Sequence, residues 1–281
     1  MASAGEELAQ RNLFADYWRA YAEFWRLNFL TLLEYRLNFF IWLAFSLVLH
    51  GTAVVTIWVM MQRFPVMNGW HWQEVIFLYA LFMLAHTVNN TLFFTVGNVP
   101  WDIQEGRFDR YMVRPLNPLF QVISQPGQIW PDEILIAIVF FAVVQGLVHL
   151  QWSWAAVALL FGAMAGGALI DFAIQLAVAT LSFWVIRLDT LRWVVMSLEN
   201  DFTRYPISIY NRAVQIVLAY VFPFAFMNYF PATTLLHKTM DGDYAVNPAL
   251  GWLTPVVGAV WFGAAYWFWK RGLNRYQSTG S

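Results

Sequence analysis

Asp102, Glu105, Arg107, Asp109, Arg110 and Arg114 crowd the segment 97–118, GNVPWDIQEGRFDRYMVRPLNP, in a chain that is only 12 % charged. Long apolar runs flank it on both sides. Hydrocarbon does not accommodate such a cluster, so the segment belongs in water or against a soluble partner. Its chemistry is that of a docking surface: charges for pairing, with Trp101, Ile103 and Phe108 as apolar anchors. Gly106 suits a turn, and Pro115 with Pro118 are expected to end the helix. The plainer reading is a solvated loop whose arginines only set membrane topology.

A second group lies inside the apolar runs. Asp171 is read as the one acid deep in a span, with Gln175 a turn further on the same face. His50, His86, Asn89 and Asn90 are the other embedded polar groups. They are expected to line a translocation path or the seam between two subunits, or else to hydrogen-bond between helices and orient them. Gly162, Gly166 and Gly167 would let a neighbouring helix approach closely near Asp171.

Other chemistry finds no support. There is no Gly-x-x-x-x-Gly-Lys-Ser/Thr loop for ATP, no His-Glu-x-x-His pair and no Gly-x-Ser-x-Gly elbow. The histidines (His50, His71, His86, His149, His237) are scattered, none at metal-ligand spacing, and cysteine is absent. The expectation is a chain without catalytic residues, metal or cofactor. A net charge of −1 gives no reason to expect nucleic acid.

The elements that must carry these residues follow from composition. The chain of 281 residues is 60 % apolar and 19 % aromatic, more than a soluble core of this size buries. An all-α, polytopic integral membrane protein is expected, a single transmembrane domain over 1–281. Runs of sufficient length, about 20 residues, occur at 39–61, 75–96, 154–186, 213–230 and 250–269, with a shorter one at 134–150. The run 154–186 could be one long helix or two spans hinged at Gly166–Gly167. Counted as one, it gives six crossings. Of the 16 Lys and Arg, all but Arg63 and Lys238 then fall on one side, as the positive-inside rule demands. Trp70, Trp72, Trp152, Trp154 and Trp252 mark the outer boundary, and Trp101, Trp130, Trp193, Trp267 and Trp269 the inner one.

This topology places 97–130 and 187–212 in the cytoplasm, together with both termini. Arg192, Glu199, Asp201 and Arg204 then read as a second contact for a partner or as a solvated face. The stretch 231–248, with Lys238, Asp241 and Asp243, lies outside as an exit cap or a plain loop. Ahead of the first span, Phe14, Tyr17, Trp18, Tyr21, Phe24, Trp25 and Phe29 alternate with Asp16, Arg19, Glu23 and Arg26. That spacing predicts an amphipathic helix over 12–36, suited to the membrane interface.

Six spans, an interfacial N-terminal helix and a helix between spans two and three resemble the membrane subunits of type-2 ATP-binding cassette (ABC) exporters. The segment 104–118 is similar to the G-x-x-D-x-x-L-x-R-P-L-N-P signature of a branch whose permeases carry no fused ATPase, with Met112 in place of the usual leucine. Tyr205-Pro206 and Pro223…Pro231 resemble the same branch more weakly. The resemblance implies a permease in the inner membrane of a prokaryote that forms half of an export pathway. It implies a second permease subunit, identical or not, and a separate ATPase that binds the ATP. Trp101, Asp102, Glu105, Gly106, Arg107, Asp109, Arg110 and Arg114 become the coupling helix that meets that ATPase. An amphipathic or lipid-like substrate is implied as well. The rival is an autonomous ion-coupled transporter or channel, against which stand the absence of a clear internal repeat and the single embedded acid.

Overall fold

The computed structural model describes residues 36–125, 130–185, 188–238 and 247–276, with Arg19, Ala22, Glu23 and Arg26. The interfacial helix expected over 12–36 lies outside the described residues, apart from those four helical positions and Arg36. So do Asp241 and Asp243. The described residues form helices and no strand.

Four helical stretches are long and apolar enough to cross a membrane, and a fifth arises if one bent pair counts as a single span. The first, α1 (Arg36–Arg63), and the second, α2 (Trp72–Phe93), are joined by a tight loop at Met67–Trp70. His71 and Glu74 form a capping box that starts α2, the His71 N–H donating to Glu74 Oε2 at 2.7 Å. After α2 come three short helices, α3 (Val99–Gln104), α4 (Asp109–Val113) and α5 (Pro118–Ile123). The next helix, α6 (Pro131–Leu147), has 17 residues, and Pro131, Asp132 and Glu133 open it, Pro and acids being favoured in a first turn. The chain then runs as one unbroken helix, α7 (Trp154–Thr180), through Gly166 and Gly167. Those glycines pack instead of bending: a Cβ on Gly166 would lie 2.6 Å from Thr254, and one on Gly167 2.8 Å from Ala85.

The chain between 187 and 235 departs from expectation. Residues 189–203, read from sequence as a solvated stretch, form α8 (Asp189–Thr203), which packs antiparallel to α2. Near its start, Arg192 Nη1 donates to Gly97 O at 2.8 Å. At its end, Asn228 bridges Thr203 O and Leu78 O. Just beyond, Asn68 donates to Ser208 O. The segment therefore climbs from the Gly97 end of the bundle to the Trp70 end. Its apolar Leu191, Val194 and Leu198 are exposed, whereas Glu199 is 2 % exposed. Asp201 and Ser197 are exposed as well.

The expected span 213–230 is broken. α9 (Arg212–Ile216) passes into a π-turn at Val217–Val221, and the chain bends by 68° at Pro223 before α10 (Phe224–Met227) and α11 (Tyr229–Leu235). Proline removes a backbone donor and clashes with the preceding turn. Both ends of this unit attach at the Trp70 end, through Asn68–Ser208 before it and a Lys238–Glu74 ion pair after it. Met227, in between, reaches Gly167 half-way along α7. The unit dips into the bundle and comes back. Above it a 3₁₀ turn, Pro248–Leu253, leads into the last long helix, α12 (Thr254–Leu273), which runs parallel to α7.

In lipid, close backbone approach and interhelical hydrogen bonds hold helices together. The α7–α12 contact depends on it: a Cβ at Gly258 would lie 2.5 Å from Gly166 O, while one at Gly263 meets nothing within 4 Å. Gly258→Val is expected to destabilise the protein by about 1–3 kcal/mol, read as a lower Tm in detergent. Gly263→Val carries the same helix propensity change without the clash and is expected to move Tm far less.

Candidate functional site

The segment after α2 folds as a compact helix-turn-helix. α2 continues through a 3₁₀ turn, Phe94–Asn98, into α3, so the axis that enters the segment is helical over 72–104. Gly106 stands at φ 70, a left-handed conformation that ends α3, and Phe108 N–H closes the turn on Asp102 O at 2.9 Å. Pro118 does not end a helix. It starts α5, with the Asn117 side chain accepting from Leu119 N–H at 2.9 Å as the N-cap.

Several expected docking residues turn inward. Asp102 is 4 % exposed, accepting from Arg107 Nε at 2.9 Å and from the Tyr111 hydroxyl at 3.2 Å. The Asp102 hydrogen bond raises the Arg107 pKa. Burial first, and the Asp102 carboxylate second, push the Tyr111 phenol up to about 12. Phe108 is fully buried, its ring 5.1–6.0 Å from those of Tyr111, Phe183, Trp269 and Tyr276. The Tyr276 hydroxyl donates to Asp109 Oδ1 at 2.7 Å; burial and that carboxylate raise its pKa. Asn117 donates to the Tyr266 hydroxyl at 2.8 Å. The segment is thus fastened to α12 and to the end of α7 by an aromatic box that Ile103 helps to fill.

What remains outward is Trp101, Glu105, Arg107, Arg110, Met112, Val113 and Arg114. Val113 is 83 % exposed and Met112 44 %. These two are exposed apolar side chains that the sequence reading passed over in favour of Ile103 and Phe108. Gly106 is at the turn and Asp109 is half-buried.

The embedded polar residues converge on a second site. A cleft of about 270 Å³ is lined by α1, α2, α6 and α8, with His50, His86, Asn90, Asp132 and Glu133 on its wall. His50 Nδ1 pairs with the Tyr79 hydroxyl at 2.8 Å, Ser46 donates to Asp132 at 2.7 Å, and Asn90 donates to Glu133 at 3.2 Å. His86 Nδ1 meets Asp171 Oδ2 at 2.7 Å, and Gln175 donates to the other Asp171 oxygen at 2.7 Å. Five of the six residues expected here are therefore brought together. Asn89 is the exception: it is buried with neither amide atom hydrogen-bonded.

Other acids reach the same region of the bundle. Asp132 and Glu133 enter from the first turn of α6, and Glu199 from α8. The first two had read as the flank of a span and the third as part of a loop. The available signal was the apolar spacing of Leu191, Val194 and Leu198 around Glu199.

A family model described as ABC-2 family transporter protein matches residues 47–280 of this chain. The chain belongs to that family, and it is a multi-pass membrane protein. No curated protein and no solved structure matches it.

Phe108→Ala empties the aromatic box and is expected to cost about 3–5 kcal/mol, read as a large fall in Tm. Val113→Ala, on the outer face of the same turn, is expected to leave Tm unchanged.

Proposed function

We propose that this ABC-2 family member is the membrane-spanning permease subunit of an ABC exporter, half of a translocation pathway driven by a separate ATPase subunit. The carrying observation is the coupling segment: helically continuous with α2, locked to α12 through Phe108 and Trp269, yet presenting Trp101, Met112 and Val113 among Glu105, Arg110 and Arg114. A push on that face moves two spans together. Apolar side chains ringed by charge are the composition of a protein docking site. Asp102 and Arg107 shape the turn from behind.

The chain crosses six times in this reading, α8 being the fifth crossing and α9–α11 a re-entrant unit on the outer side. The Gly97 end and both termini face the cytoplasm. Arg204 and Arg212 shift toward the outer half, and the excess of Lys and Arg stays inside. The cleft opens between α1 and α8 with Ser46, His50 and Asn200 on its wall. Lipid cannot solvate such groups, so a second permease subunit faces them and the cleft becomes part of the path. ATP is bound by the partner, and the mobile cargo is amphipathic.

One observation favours ion-coupled transport instead: the embedded acids number more than one. The two readings separate in one experiment. The chain is co-expressed with its native genomic neighbours, purified in mild detergent and assayed for an accompanying ABC ATPase. Co-purification is expected, and Arg110→Glu with Val113→Asp is expected to reduce it at least tenfold while the permease stays monodisperse. Undiminished co-purification refutes this docking face. Solute movement driven by an ion gradient with no ATPase present refutes the exporter.

A further inference from the structure

His86 on α2, Asp171 on α7 and Glu199 on α8 place one imidazole nitrogen and two carboxylate oxygens within 4.8 Å of one another. The three come from separate helices, which is why no sequence spacing announced them. Asp171 is fully buried and Glu199 is 2 % exposed. Glu199 Oε1 has no hydrogen-bond partner in this pocket. An unpartnered carboxylate oxygen in such surroundings is costly unless a cation or a proton satisfies it.

The surroundings favour a cation. Metal-ligating side chains are oriented by hydrogen bonds from a second layer, and this cluster has one. Gln175 holds the Asp171 oxygen that points away from His86, at 2.7 Å. Asp171 is therefore fixed at one end and free to present the other. Bound there, a divalent ion would take the place of the proton that lets the Glu199 and Asp171 carboxyls share a hydrogen bond.

We propose that His86, Asp171 and Glu199 form a divalent transition-metal site of the Zn²⁺ class, tying α8 to α2 and α7 within the membrane. One nitrogen and two oxygens suit Zn²⁺, at about 2.0–2.2 Å each. Three protein ligands leave a fourth position for water, and His86 borders the cleft from which it would come. The ion fixes the register of α8, whose other end holds Gly97 beside the coupling segment through Arg192. The site does not depend on the exporter reading.

The test uses the full-length protein, with any affinity tag removed, in detergent. It is stripped with EDTA, dialysed against limiting Zn²⁺ and assayed by elemental analysis and thermal unfolding. One Zn²⁺ per chain is expected, with a higher Tm than in EDTA. Glu199→Gln and Asp171→Asn, both near-isosteric, are expected to lose the metal, whereas Glu133→Gln on the cleft wall keeps it. Gln175→Ala is expected to weaken binding about 10–100-fold. In EDTA, Glu199→Gln is expected to be at least as stable as the native chain, because the amide can donate to Asp171 as the protonated carboxyl does. A variant less stable in both media assigns Glu199 a hydrogen-bonding role and overturns the site. So does a native protein that keeps no Zn²⁺, or keeps as much as Glu199→Gln does.

Discussion

Charge is not tolerated against hydrocarbon, and the arrangement of this chain follows from that constraint. Asp132, Glu133, Asp171 and Glu199 arrive from α6, α7 and α8, and each is turned toward the bundle or its cleft. The His86–Asp171 contact at 2.7 Å lies at the centre of this arrangement. It binds α2 to α7 at mid-depth, one turn from the place where Gly167 meets Ala85. α8 lies across that junction with Glu199 facing inward and Leu191, Val194, Leu198 and Asp201 facing outward. Without an internal partner for Glu199, this helix would have no stable place between the two ends of the bundle.

The same logic, inverted, shapes the segment 97–118. Outside the membrane, charge is cheap and apolar area is what must be buried. The turn around Gly106 hides Phe108 among Trp269, Phe183 and Tyr276, and it uses Asp102 to pin Arg107 and Tyr111 from within. That interior makes the turn stiff. Stiffness is what a segment needs if it is to carry force from a soluble partner to α2 and α12 without folding up under load.

The long apolar helices were legible because hydropathy and length suffice to find them, and α7 needed only the arginine distribution to be read as one. The segment 97–118 was legible as a special place, because its charge contrasts with everything around it. Which side chains faced outward was not. Phe108 and Asp102 are held by Trp269, Tyr276 and Tyr111, and contacts with the chain's far end leave no local trace. The packing of α8 on the bundle was not legible because Glu199, Asn200, Asp201 and Arg204 average to a polar stretch, and the groups that Glu199 meets lie on α2 and α7. The break in the run 213–230 was hidden for the opposite reason. Hydropathy reports what a segment contacts, and a bent helix contacts much the same surroundings as a straight one; Pro223 alone hinted at the bend.

The path of the chain between 189 and 213 is the claim on which the proposed topology, the cleft and its second subunit all rest. The natural absence of cysteine allows a direct measurement. Single cysteines at Thr190 and Ala213, both exposed, are labelled in intact cells with a membrane-impermeant maleimide. Crossing by α8 predicts that position 213 is labelled from outside, while position 190 reacts only after the cells are opened. Protection of both positions in intact cells would return 187–212 to the cytoplasm and contradict the account.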